Sequence, residues 1–72
     1  MNLNYYPETD SLYIDLSSTP SRKSVEISEG IVLDYDDDGK LTGIDIDNAS
    51  HKINLSEIVL SKVPVQRQAI IA

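Results

Sequence analysis

At 72 residues the chain has room for one small domain, and a fold of this size hides too little surface to build a large core. Twelve acidic residues against six basic ones leave a net charge of −6, which repels nucleic acid on average, and no Lys/Arg stripe interrupts that balance. Cysteine is absent, so disulfides and thiolate metal sites cannot prop up the core, and a partner chain is the expected remedy. The first residues show no basic stretch followed by an apolar run, and no segment nears the ~20 apolar residues that span a bilayer. A cytoplasmic location is therefore expected. A homo-oligomer (a dimer) or a protein partner, basic by charge complementarity, is expected too, with no nucleic acid, no membrane and no cofactor.

Met1 to Tyr6 alternates, with Met1, Leu3 and Tyr5 on one face and Asn2, Asn4 and Tyr6 on the other. Ser11 to Leu16 repeats the pattern, setting Leu12, Ile14 and Leu16 against Ser11, Tyr13 and Asp15. Pro7-Glu8-Thr9-Asp10 is a turn sequence whose proline pre-sets φ and whose acids prefer solvent. Closing Tyr6 on Ser11 brings Tyr5 opposite Leu12 and Leu3 opposite Ile14. Both apolar sets then share a face, the condition that specifies register.

Ser17 to Lys23 is a polar loop around Pro20. Ser24 to Ser28 is a short strand with Val25 and Ile27 inward, turning through Ser28-Glu29-Gly30, where a terminal glycine suits φ > 0. Ile27 then faces Ile31, and Val25 faces Leu33. Gly30 to Asp47 carries the strongest signal: Ile31, Leu33 and Tyr35 alternate, and Thr42, Ile44 and Ile46 answer them. A two-residue Asp38-Gly39 turn pairs Tyr35 with Thr42, Leu33 with Ile44 and Ile31 with Ile46; a three-residue loop breaks that parity.

After Asp47 the alternation stops, and Asn48 to His51 reads as a turn. Leu55, Ile58, Val59 and Val63 recur at helical spacing with Asn54 or Ser56 as a cap. This predicts a short helix over 54–63 that ends before Pro64. A strand is the alternative, since Ile58 to Leu60 is apolar and branched. The predicted fold is mainly β: a five-stranded antiparallel hairpin or meander sheet, with one short C-terminal helix packed on one face. Residues 1–63 form the domain, and 64–72 are a tail that frays or pairs with a neighbouring chain.

The face turned away from the core collects Tyr6, Tyr13, Asp34, Asp36, Asp45 and Asp47, with no Lys or Arg among its positions. The plain reading is the wet side of a one-sided antiparallel sheet. Tyrosines set among carboxylates also make a candidate docking surface for a basic partner.

Asp34-x-Asp36-x-Asp38-Gly39, with Asp45 after five more residues, matches the spacing of a calcium loop, making Asp34, Asp36, Asp38 and Asp45 the candidate metal ligands. Against it, the final ligand is Asp where a bidentate Glu is usual, and the flanks read as strands. Catalytic machinery is poorly supplied. There is no cysteine, no GxSxG elbow and no glycine-rich phosphate loop, and the single His51 sits in a turn. An enzyme is not expected, and no catalytic residue is assigned.

Two stretches together resemble a known family. Tyr5-Tyr6-Pro7-Glu8-Thr9-Asp10-Ser11-Leu12-Tyr13-Ile14 is similar to the Y-D-P-E-x-D-x-L-Y-I opening of a small bacterial family known only as a domain of unknown function. Gly30 to Asp36, Asp38-Gly39 and Gly43-Ile44 resemble its G-x-x-x-D-x-D-x-D-G-x-x-x-G-I-x-I signature, followed by a D/N-A-S segment at Asn48-Ala49-Ser50. Tyr6 and Asn48 stand where the family often has Asp. The resemblance implies a compact sheet of hairpins and a bacterial origin, and brings no activity, cofactor or catalytic residue. By analogy with other small acidic families it admits an antitoxin-like role, although no DNA-binding segment is recognisable. The favoured function is non-enzymatic protein interaction; the alternative is a module for calcium or another divalent cation.

Overall fold

The computed structural model describes residues 1–62, 64 and 68–71. Five strands, β1 (Asn2–Tyr6), β2 (Ser11–Asp15), β3 (Lys23–Ser28), β4 (Ile31–Tyr35) and β5 (Leu41–Ile46), form one antiparallel sheet. Its order is β1-β2-β5-β4-β3, so the strands do not follow the chain as a simple meander would. The expected hairpins are joined by β2 pairing with β5, which puts Leu12 opposite Ile46 and Ile14 opposite Ile44. That pairing continues the apolar rows of both hairpins on one face, which the short row of β3 could not do as well. Three hairpin-linked strands with a fourth returning beside them make a Greek key. The polar loop permits the crossover: Leu16 N–H donates to Thr42 O at 2.9 Å and Arg22 N–H to Tyr35 O at 2.7 Å, tracing it past β5 to β4.

The β1–β2 register is the expected one, with Leu3 opposite Ile14, Tyr5 opposite Leu12 and Tyr6 opposite Ser11. In β4–β5, Leu33 faces Ile44 and Ile31 faces Ile46 as expected, but Tyr35 faces Leu41 rather than Thr42. The turn is three residues, Asp37-Asp38-Gly39, closed by Asp36 N–H on Lys40 O at 2.9 Å, with Gly39 at φ 79°. The irregularity beside Asp34 absorbs one extra residue, Thr42, and so restores the parity that this loop would break. Thr42 is 2% exposed and shares a 2.9 Å hydrogen bond with Ser21. A second irregularity in β3 sets Ser28, not Ile27, opposite Ile31 and leaves Ile27 58% exposed. Gly30, at φ 73°, fills the position that needed φ > 0.

The helix predicted over 54–63 is absent from the described part of that range. Glu57–Leu60 is a strand, β6, paired antiparallel with β7 (Gln68–Ile71) as a separate two-stranded sheet. The branched Ile58-Val59 pair fits a strand better than a helix, and Asn54 caps a local turn, its Oδ1 accepting the Ser56 N–H at 2.9 Å. Val63, and residues 65–67 and 72 of the tail, lie outside the described residues. Among those described, the one helical element is a 3₁₀ turn, Ala49–His51, and no helix is long and apolar enough to cross a membrane.

The five-stranded sheet is a single layer. Leu12 and Ala49 are its buried apolar residues, and no large side chain is fully buried among the described residues. A sheet with one apolar face ordinarily buries it against a second layer. Here Leu3, Ile14, Leu33 and Ile44 stay part-exposed, and Val25 and Leu16 are 36% and 37% exposed.

Candidate functional site

The acidic face assembles as the alternation predicted. Tyr13 lies opposite both Asn4 and Asp45, Asp45 opposite Val32, Asp34 opposite Ser24 and Gly43. Asp36 is a correction, because it leaves the sheet for the turn, where its Oδ1 accepts the N–H groups of Asp38 and Lys40 at 2.9 Å each.

On this face the polar side chains are tied to one another. Tyr13 reaches across β5, over Gly43, and its hydroxyl donates to Asp34 Oδ2 at 2.7 Å. Ser24 Oγ donates to the other oxygen of Asp34 at 2.6 Å, so three strands meet at one carboxylate. The bond to Asp34, and then burial, hold the Tyr13 phenol above its usual pKa. Gly43 is buried because the tyrosine lies on it; a Cβ there would fall on the Tyr13 hydroxyl and 2.6 Å from its Cζ. Beside this cluster, burial first, and then the charges of Asp47 and Asp34, push the Asp45 carboxyl above the usual range. Tyr6 remains 48% exposed at the sheet margin.

A second knot ties the ends of the chain's two motif stretches. Asp10 closes the β1–β2 turn at φ 51°, a left-handed conformation that Asp tolerates. Its carboxylate accepts the Tyr5 hydroxyl at 2.7 Å, the Ser50 hydroxyl at 2.7 Å and the Ser50 N–H at 3.2 Å, while its carbonyl accepts the Ala49 N–H at 2.8 Å. The bonds from Tyr5 and Ser50 lower the Asp10 pKa, and the same bond to Asp10 raises that of Tyr5. Ala49 is fully buried in the turn so held. Asp47 completes the fastening: its Oδ1 accepts Ser11 Oγ at 3.2 Å and its carbonyl accepts the Lys52 amine, which lies over Gly30.

The calcium-loop spacing thus resolves into separate duties. Asp34 holds Tyr13 and Ser24, Asp36 caps its own turn, and Asp45 sits across the sheet beside Asp47. Among the described residues, no group of three or more His, Cys, Asp or Glu stands where it could hold a metal ion. An open cleft of about 520 Å³ lies at the other end of the sheet, between Lys23, Val25, Tyr35 and the Asp36–Gly39 turn. Local pattern marks Asp10 only as a solvent-seeking turn acid and gives Ser24 and Ser50 no role. The missed signal is that the motif stretches are polar at positions a hairpin alone does not require.

The chain is similar to an uncharacterised protein of Methanocaldococcus jannaschii, 29% identical over 70 residues, a stretch that takes in 97% of this chain and 60% of the relative. The chain therefore spans 60% of that relative's length, and the relative is archaeal, so it lends nothing to the bacterial origin that the resemblance implied. No solved structure matches the chain. A family model described as "Protein of unknown function (DUF2283)" matches residues 2–50, which are β1 to β5 and the Asn48-Ala49-Ser50 turn. The chain belongs to the DUF2283 family.

Proposed function

We propose that the chain is a non-enzymatic protein-interaction module that self-associates through the apolar face of its five-stranded sheet. The observation that carries this reading is the bareness of that face. Leu3, Ile14, Leu33 and Ile44 are only part-buried on it, and Val25 on β3 is 36% exposed, whereas a sheet with one apolar face ordinarily buries it against a second layer. A second copy laid face to face supplies the missing layer, as in a β-sandwich, and needs no cavity or charge complementarity. The acidic face is less suited to the contact: its central tyrosine and carboxylate already satisfy each other.

Val25→Lys tests the reading. Val25 lies on edge strand β3, opposite Leu33, and is 36% exposed, so a lysine there leaves the single chain folded. It does put a charge into the interface, which an apolar contact cannot desolvate without cost. Light scattering should find the mass of the variant half that of the parent chain. An unchanged mass would show that this face is free or is covered within the chain.

A further inference from the structure

The sheet has two edges, β1 and β3, and they are built differently. β3 carries Lys23 and Glu26 and is broken by the irregularity between Glu26 and Ser28. Charges and bulges on an edge are the usual devices that stop it from pairing with another chain. β1, Asn-Leu-Asn-Tyr-Tyr, has none of them. It pairs with β2 in unbroken register along all five residues. Of the five strands it alone holds no charged residue, for β2 has Asp15, β4 has Asp34 and β5 has Asp45. Its flanking aromatics are open, Tyr5 at 43% and Tyr6 at 48% exposure.

We infer that β1 is a strand-addition edge whose occupant is β1 of a second copy, antiparallel, making one continuous ten-stranded sheet. The charge pattern selects this occupant. In a chain of net charge −6, like charges facing across a sheet are destabilising, and of the two edges open to pairing only β1 is free of charge, since β3 carries Lys23 and Glu26. β1 pairs with itself without that penalty. Full overlap of two five-residue strands centres the two-fold axis on Asn4. Leu3 then faces the second copy's Tyr5 on the apolar side, an aliphatic–aromatic cross-strand pair of the favourable kind. Asn4 faces its own symmetry mate on the other side, amide to amide. Each copy presents to the other the outer-edge backbone N–H and C=O groups of β1, which have no partner among the described residues, and such groups are how edge strands gain affinity. This seam is distinct from the face-to-face contact; where both form, four chains assemble.

Substitution at Asn4, the exposed residue on the axis, tests it with the intact chain. Asn4→Lys and Asn4→Asp each set like charges opposite each other at the seam, and each should lower the mass in sedimentation two-fold. An equimolar mixture of the two variants sets Lys opposite Asp and should regain the parent mass. An Asn4→Lys mass equal to the parent's overturns the edge pairing, as does a mixture that stays at half mass. Neither result touches the sheet-face reading, whose failure shows separately as an unchanged mass for Val25→Lys.

Discussion

Gly43→Ala is expected to destabilise the fold by about 2 kcal/mol, the middle of the range for forcing an extra carbon into a packed site. The new Cβ would occupy the place of the Tyr13 hydroxyl, with the ring carbon Cζ only 2.6 Å away. The ring cannot step aside freely, because its hydroxyl is held at 2.7 Å by Asp34, which Ser24 fixes in turn. Moving it breaks the tie that links β2, β4 and β3 across the central strand. Urea unfolding of single and double variants measures the effect. Combined with Tyr13→Ala, which removes the obstructing ring, Gly43→Ala should cost far less than it does alone. Purely additive effects would mean that the glycine answers to something other than the tyrosine.

Asp10→Ala should lower the melting temperature more than substitution of any other aspartate in the chain. It removes the acceptor of three hydrogen bonds and forces alanine into φ 51°, which alanine tolerates poorly. The useful control is Asp37→Ala: among the described residues its one partner is Arg22 at 3.7 Å, with both side chains largely exposed, and such pairs contribute little. Acidity should act on the same knot. The folded-state pKa of Asp10 is lowered by Tyr5 and Ser50. Its contribution is therefore complete above the unfolded pKa near ~3.9 and fades as pH falls through the lower folded value. Thermal melts from pH 7 downwards should show a smaller acid-side loss in Asp10→Ala than in the parent chain.

How far the fold was legible follows from what a local pattern can see. Side chains in a strand alternate with period two, so the register of β1 on β2 could be read from Leu3, Tyr5, Leu12 and Ile14 alone. The same logic could not separate a two-residue Asp38-Gly39 turn from a three-residue turn followed by a bulge at Thr42, since both keep Leu33 opposite Ile44. The order of the sheet depends on β2 meeting β5, a choice made by matching whole apolar rows across about thirty residues of chain. No window of sequence contains it. The Asp10–Ser50 and Tyr13–Asp34 ties span 40 and 21 residues and were hidden for the same reason. Within 54–63 the short apolar run fits both periods, and pairing of β6 with β7 makes Glu57–Leu60 a strand.

The motif stretches gain their meaning from those long ties. Asp10, Tyr13, Asp34, Gly43 and the Asn48-Ala49-Ser50 turn fasten one layer of sheet along its acidic face and its turn end, and leave the apolar face bare. Sedimentation equilibrium of the intact chain across micromolar concentrations tests that account most directly. The account predicts a mass of at least two chains that declines toward one on dilution. A mass of 8.0 kDa at every concentration would contradict it.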